Sequence, residues 1–201
     1  MIAVIDYGMG NLFSVKKALE HVGASAEITD NPEVLNRAEK IILPGVGAFG
    51  DALREIEKLS LADPIRHQLK SGKPFLGICL GLQILFESSE ESPGVPGLGI
   101  LRGKVPRFQT DLKVPHMGWN SLKINRRAPI FRGIDDGAYV YFVHSYYVEP
   151  ENKQVVSTST DYDISFTSSV WKKNLFATQF HPEKSQDVGL RILENFVSLS
   201  E

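Results

Sequence analysis

One cysteine in 201 residues has no partner within the chain, which excludes an internal disulfide framework and fits a reducing compartment. Long apolar runs are also missing. The longest, Phe75 to Phe86, contains Gln83 and falls well short of the roughly 20 residues of a membrane span. Met1 leads straight into the apolar stretch Ile2 to Asp6 with no basic leader, so the expectation is a cytoplasmic protein, neither exported nor membrane-embedded. An excess of either charge is absent too: 22 Lys and Arg against 24 Asp and Glu give a net charge of −2, which offers no nucleic-acid footprint. No Ser/Gly linker, charge block or internal repeat divides the sequence. A single domain over residues 1–201 is expected, long enough for a substantial core.

What is present starts with that lone cysteine. Gly77-Ile78-Cys79-Leu80-Gly81 follows the apolar run Pro74 to Ile78 and precedes a second apolar stretch, a strand-to-helix corner bracketed by glycines. Side-chain-free neighbours let the backbone turn sharply and let a substrate approach, and a helix start behind the sulfur favours negative charge on it. The alternative is a small buried hydrophobe, the commonest fate of a free cysteine.

About a hundred residues on, Phe180-His181-Pro182-Glu183 supplies a base and a group to orient it. Pro182 biases His181 toward extended backbone, and side chains two apart on an extended segment share a side, so His181 and Glu183 are expected side by side. A carboxylate on one imidazole nitrogen leaves the other free to take a thiol proton, as acyl transfer requires. A histidine and a glutamate on a surface turn is the plainer reading. The other histidines are weaker candidates: His21 and His67 lie in helix-like segments, His116 sits between Pro115 and Met117, and His144 has Tyr146 rather than an acid two residues on.

A third segment, Ile41 to Leu43 running into Pro44-Gly45-Val46-Gly47-Ala48-Phe49-Gly50, matches G-x-G-x-x-G by letter. The dinucleotide reading is weak, because the next strand ends in Cys79 where an acid is required, and no phosphate-loop Lys-Ser/Thr follows. Its exposed amides suit an oxyanion hole better, with one donor from this loop and one from Leu80. A purely structural glycine turn stays open. No cofactor and no metal are expected.

The periodicities predict strand and helix alternating through the first half. Strand Ile2 to Asp6 precedes a helix with Leu12, Val15, Leu19 and Val22 on one face. Strand Ala24 to Ile28 precedes a short helix capped by Asn31, with Pro32 in its first turn. Strand Lys40 to Leu43, a helix from Asp51, another capped by Asp63 with Pro64, and strand Phe75 to Ile78 follow. This predicts an α/β fold with an open, largely parallel sheet flanked by helices. Ser88 to Gly99 reads as a loop. Strands then dominate, at Gly99 to Val105, Ser121 to Ile124, Ala138 to Val143, Tyr146 to Glu149, Val155 to Thr160, Ile164 to Trp171 and Leu175 to Phe180, before a final helix carrying Val188, Ile192, Phe196 and Leu199. Cys79 and the 44–50 loop fall at carboxyl ends of strands, where open α/β sheets bind ligands.

Gly77 to Gln83, taken with His181-Pro182-Glu183, resembles the class I (triad) glutamine amidotransferases. Asp6 to Asn11, Pro44 to Gly50, Pro115 to Asn120, Tyr141 to Tyr146 and Phe180 to Ser185 resemble one branch of that family, the glutaminase subunits of imidazole glycerol phosphate synthases. The resemblance spans nearly the whole chain and implies a flavodoxin-like core with extra antiparallel strands. It implies glutamine hydrolysis to glutamate and ammonia by Cys79, His181 and Glu183, with backbone N–H groups of Val46 and Leu80 on the oxyanion. Gly47, Gln83, Ser145 and Tyr146 would hold glutamine. The ammonia would pass to a cyclase subunit of (β/α)8-barrel fold in histidine biosynthesis, docked over a face that includes Asn11, Trp119, Asn120 and Lys184. A glutaminase serving another synthase would share the triad but not the Pro115 to Asn120 run; an inactive binding module of the same fold would lack a triad member.

Overall fold

Strands whose every residue is apolar have no solvent face, and such runs form the middle of the sheet in this computed structural model, which describes residues 1–200. In the first half β1 (Ile2–Ile5), β2 (Ala26–Thr29), β3 (Lys40–Gly45) and β4 (Phe75–Cys79) alternate with α1 (Leu12–His21), α2 (Pro32–Arg37), α3 (Phe49–Lys58) and α4 (Ala62–Lys70). The one-turn α5 (Leu80–Gln83) follows β4, and the short strands β5 (Ser88–Ser89) and β6 (Gly103–Val105) lie beyond it. The second half holds β7 (His116–Ser121), β8 (Lys123–Ile124), β9 (Tyr139–His144), β10 (Glu149–Pro150), β11 (Val156–Tyr162), β12 (Ile164–Lys172) and β13 (Leu175–Thr178), then α6 (Gln186–Val197).

Eight strands form the main sheet in the order β2-β1-β3-β4-β13-β12-β11-β8. The pairs from β2 through β13 are parallel and those from β13 to β8 antiparallel, so the sheet is mixed with a parallel centre. Side chains alternate through that centre. Ala3, Ile5, Ile41, Leu43 and Phe75 pack under Leu53, Ile56 and Ile65 of α3 and α4, while Ile2, Val4, Ile42, Leu76 and Ile78 meet Val15 and Leu19 of α1 and Ile192, Leu193 and Phe196 of α6. Two apolar layers therefore clamp one sheet, and β1, β4 and β13 are buried along their whole length, as is β3 beyond Lys40.

Several element ends differ from the sequence reading, each for a local reason. Asn31 caps α2 as expected, its Oδ1 accepting from Glu33 N at 2.9 Å. α3 begins at Phe49, not Asp51, because its first amides are capped from far along the chain: Glu91 Oε2 accepts from Phe49 N at 2.7 Å and Ser92 Oγ from Gly50 N at 3.0 Å. α4 starts after Leu61, and Asp63 instead pairs with Arg66 one turn on. The expected strand from Gly99 shortens to Gly103–Val105, since Ile100 and Leu101 both donate to the Leu85 carbonyl. The expected strand Tyr146 to Glu149 reduces to β10 with isolated bridges at Tyr146 and Val148. Most consequential is β7. The run His116 to Ser121, given no element before Ser121 in the sequence reading, is a strand paired antiparallel with β9 so that His116 faces His144 and Trp119 faces Tyr141.

Candidate active site

Parallel register places the three chemical segments beside one another. Gly45 pairs with Cys79 across β3 and β4, and Thr178 pairs with Ile78 across β13 and β4. The glycine loop after β3, the cysteine and the His181 turn thus leave the same edge of three adjacent strands.

Cys79 has φ +55°, a left-handed conformation costing about 1–3 kcal/mol for a residue with a side chain. Its flanking glycines explain how the corner closes. A Cβ on Gly81 would stand 1.9 Å from the Leu43 carbonyl oxygen, and one on Gly77 would stand 2.9 Å from the Gly81 carbonyl oxygen. α5 therefore crosses directly over β3 with no room for a side chain. It is a single turn, so its dipole contributes less at the sulfur than a full helix would. Cys79 is 7% exposed, with Gln179 Nε2 at 3.8 Å and the Val143 carbonyl at 4.0 Å from Sγ.

His181 and Glu183 meet as the sequence suggests, although through a different backbone. His181 itself is extended, and Pro182–Lys184 then forms a 3-10 turn that folds the carboxylate back under the ring. Glu183 Oε1 lies 2.8 Å from His181 Nδ1, with both side chains at most 2% exposed. The turn is pinned: Ser185 Oγ donates to the His181 carbonyl at 2.6 Å, His181 N donates to Tyr141 O at 3.0 Å, and a Cβ on Gly189 would strike the Pro182 carbonyl. His181 Nε2 has no hydrogen-bond partner and faces away from Glu183 toward the cavity. Burial opposes charging of this ring, but a Cys79 thiolate beside it and Glu183 behind it outweigh that and raise its pKa to about 10. The ring therefore keeps both its protons through neutral pH.

A cavity of about 300 Å³ opens in front of this pair. Its wall includes Val46, Gly47, Leu80, Gln83, Ser145 and Tyr146, so every oxyanion and substrate-binding candidate reaches one space with Cys79 and His181. Two further wall residues are Glu91, which the sequence reading did not single out, and His144, which it set aside as a weaker base. Glu91 lies in the acidic loop, with one oxygen held by Phe49 N and its position set by the cap of α3. His144 is buried and linked to His116, its Nε2 3.0 Å from His116 Nδ1 and its Nδ1 2.8 Å from the Tyr146 carbonyl. Burial lowers His144 to about 3 and His116 to about 4, so both rings are neutral. Gln179 did escape notice; it lies just after β13, two residues before His181, and nothing in its immediate sequence marks it.

The docking candidates lie outside the cavity wall. Lys184 is exposed and Trp119 is 45% exposed, its ring edge-on to Tyr141. Asn11 and Asn120 are half-buried and so less exposed than their loops suggested. Asn120 turns inward, donating to the Asp161 carbonyl at 2.9 Å and lying 3.2 Å from His116 Nε2. Strand alternation puts Met117 with Trp119 on the outward face of β7, where Met117 and Tyr139 are also exposed. No described helix is long and apolar enough to cross a membrane.

The model of the glutamine amidotransferase class-I family matches residues 3–199. The imidazole glycerol phosphate synthase subunit HisH of Syntrophotalea carbinolica is 56% identical over 98% of both chains. The protein of that name from Geobacter metallireducens is 52% identical, over 97% of this chain and 96% of its own, and that from Aquifex aeolicus 53%, over 98% and 96%. Among solved structures, a glutamine amidotransferase superposes with a TM-score of 0.76 at 21% identity, over 98% of this chain and all of its own. A structure of PurLQS from Thermotoga maritima gives 0.77 at 22%, over 98% and 96%. At such identities these two establish the shared fold alone.

Proposed function

This chain belongs to the class I glutamine amidotransferases, and from that premise we propose that it works as the glutaminase subunit of an imidazole glycerol phosphate synthase, hydrolysing glutamine to glutamate and ammonia for a cyclase partner. Relatives carrying that subunit's name match it at 50–56% identity over nearly the whole chain. The observation that carries the chemistry is that Cys79 and His181, about a hundred residues apart, face one cavity with Glu183 held behind the ring.

The Cys79 thiolate attacks the side-chain amide carbon of glutamine and the carbonyl π pair moves onto oxygen. Backbone N–H groups of Val46, just after β3, and Leu80, the first residue of α5, receive that oxyanion. As the C–N bond breaks, His181 gives its Nε2 proton to the nitrogen, and ammonia leaves a γ-glutamyl thioester. Neutral His181 next takes a proton from water, hydroxide adds to the thioester, and the thiolate departs from a second tetrahedral species to leave glutamate. Glu183 holds Nδ1 throughout, fixing the ring and stabilising its charge. Glutamine is held by Gly47, Gln83 and the Ser145-Tyr146 backbone, and the Glu91 carboxylate on the wall suits its α-ammonium.

Free ammonia is protonated in neutral water and is then no nucleophile, so it has to leave along a covered path. The exposed side of the β7–β9 sheet, which carries Trp119, is assigned with Asn11, Asn120 and Lys184 to the cyclase, which we take to be a (β/α)8 barrel. Residues 1–201 act as one amidotransferase domain, in the cytoplasm. The test is reconstitution with the cyclase, counting glutamate against cyclised product. One-to-one coupling is expected with this cyclase; stimulation by the acceptor subunit of a different synthase, and none by this one, would overturn the assignment.

A further inference from the structure

From the buried histidines to the nucleophile runs an unbroken line of hydrogen bonds whose direction one acceptor fixes. The Tyr146 carbonyl can only accept, so His144 Nδ1 at 2.8 Å and Gln83 Nε2 at 3.1 Å both donate to it. Neutral His144 then has a bare Nε2, which accepts from His116 Nδ1 at 3.0 Å. The bare Nε2 of His116 accepts in turn from Asn120 Nδ2 at 3.2 Å. On the other side of the carbonyl, Gln83 Nε2 gives its second hydrogen to Gln179 Oε1 at 3.1 Å. Only one orientation of the Gln179 amide remains. Its oxygen is occupied by a donor, so its nitrogen faces Cys79 Sγ, 3.8 Å away.

We propose that Gln179 is a positioning residue for the nucleophile: its side-chain N–H, aimed by Gln83, holds the Cys79 sulfur and favours the charged form that attacks. Gln179 is fully buried on the segment leaving β13, the neighbour of β4 in the sheet. A buried amide N–H needs an acceptor. A neutral thiol is a poor one, whereas a thiolate makes a charge-assisted bond, so the contact strengthens as the proton leaves. His181 lines the same cavity as the sulfur, with its Nε2 unpartnered. With φ at Cys79 fixed by the corner, a second contact limits where the sulfur can sit between attack and release.

The proposal rests on Cys79 being the nucleophile, and its test separates the two. Gln179→Met keeps length and bulk and removes the donor. In the free chain, alkylation of Cys79 by iodoacetamide near neutral pH should slow about tenfold, since the thiolate is the reacting form. In the reconstituted complex kcat should fall roughly 10- to 100-fold, the worth of one hydrogen bond to a charged group, with KM changed less than about threefold. Gln179→Glu keeps the shape and the bond from Gln83 but turns an oxygen toward the sulfur, so it should slow alkylation more than Gln179→Met does. A mere packing role predicts the opposite order. Should the Gln179 variants fail to fold, Gln83→Met removes what aims the amide, and alkylation should slow there too. Wild-type alkylation in any of these folded variants overturns the proposal. An active Cys79→Ala would instead end the nucleophile reading itself.

Discussion

The His181–Glu183 and His144–His116 pairs meet one cavity through His181 and His144, and their histidines are driven to different charge states. At one end His181 is held as an imidazolium to about pH 10 by the Cys79 and Glu183 charges that bracket it. At the other, His144 and His116 are buried with only neutral partners and are pushed down to about 3 and 4. Burial opposes charge in all three rings. What differs is whether an anion lies within reach, and that decides which histidine can move protons and which can only hold shape.

The largest effect expected is on the charged end. Cys79→Ala should abolish glutamine hydrolysis while the fold and glutamine binding persist, because the change removes a nucleophile and little packing. Turnover above a few per cent of wild type in the purified variant would sink the assignment. Next comes the division of labour within the pair. His181→Ala should cost at least the roughly 10⁴ lost when a serine triad's orienting group is removed, and Glu183→Gln less than that, since a thiol ionises partly unaided. Single-turnover rates in the reverse order would mean that the carboxylate does more than orient.

The pH behaviour sharpens the contrast directly. His181 must be charged to protonate the departing amide nitrogen, so kcat/KM should hold through neutral pH and fall only as pH rises toward about 10. His144 and His116 have folded values below that of an unfolded histidine, so between about pH 6.5 and 4 the unfolded chain binds more protons. Their contribution to stability is complete above about 6.5 and lost as pH falls through their folded values. Urea midpoints measured across that window should decline in the wild type and decline less in His144→Phe; equal slopes would place the charge contrast elsewhere. The smallest effect on the isolated subunit is expected from Trp119→Ala, which lies outside both pairs. It should leave basal hydrolysis near wild type and weaken cyclase binding or uncouple the two reactions, by about 2 kcal/mol if Trp119 is an interface anchor. Tight binding with one-to-one coupling preserved in Trp119→Ala, Asn11→Ala and Lys184→Ala alike would remove that face from consideration.

The charged end was legible in the sequence and the neutral end was not, for a physical reason. Glycines around Cys79 and a proline between His181 and Glu183 are local devices, and each records its backbone geometry within a few residues. Even there the inference from extended backbone gave the right neighbours by the wrong route, since a 3-10 turn brings the carboxylate to the ring. The His116–His144 pair depends on cross-strand register between β7 and β9, and β7 itself, with Gly118 at its middle and no apolar alternation, gives no strand signal. Gln179 and the cap of α3 by Glu91 and Ser92 are likewise contacts between distant segments. The central sheet was readable because its strands are almost wholly apolar; the shortened β6 was not, because Ile100 and Leu101 donate to the Leu85 carbonyl instead.

Strand order also sets a timetable. β13 inserts beside β4 although nearly a hundred residues separate them, and His181 follows directly after it. While the chain is being synthesised, β1 to β4 can pair in sequence and present the thiol early. The base arrives only with the last tenth of the chain, after the antiparallel strands that edge the sheet have been made. A nascent or truncated chain therefore carries a cysteine without its ion-pair partner, and chemistry at this site begins only once the sheet has been closed around it.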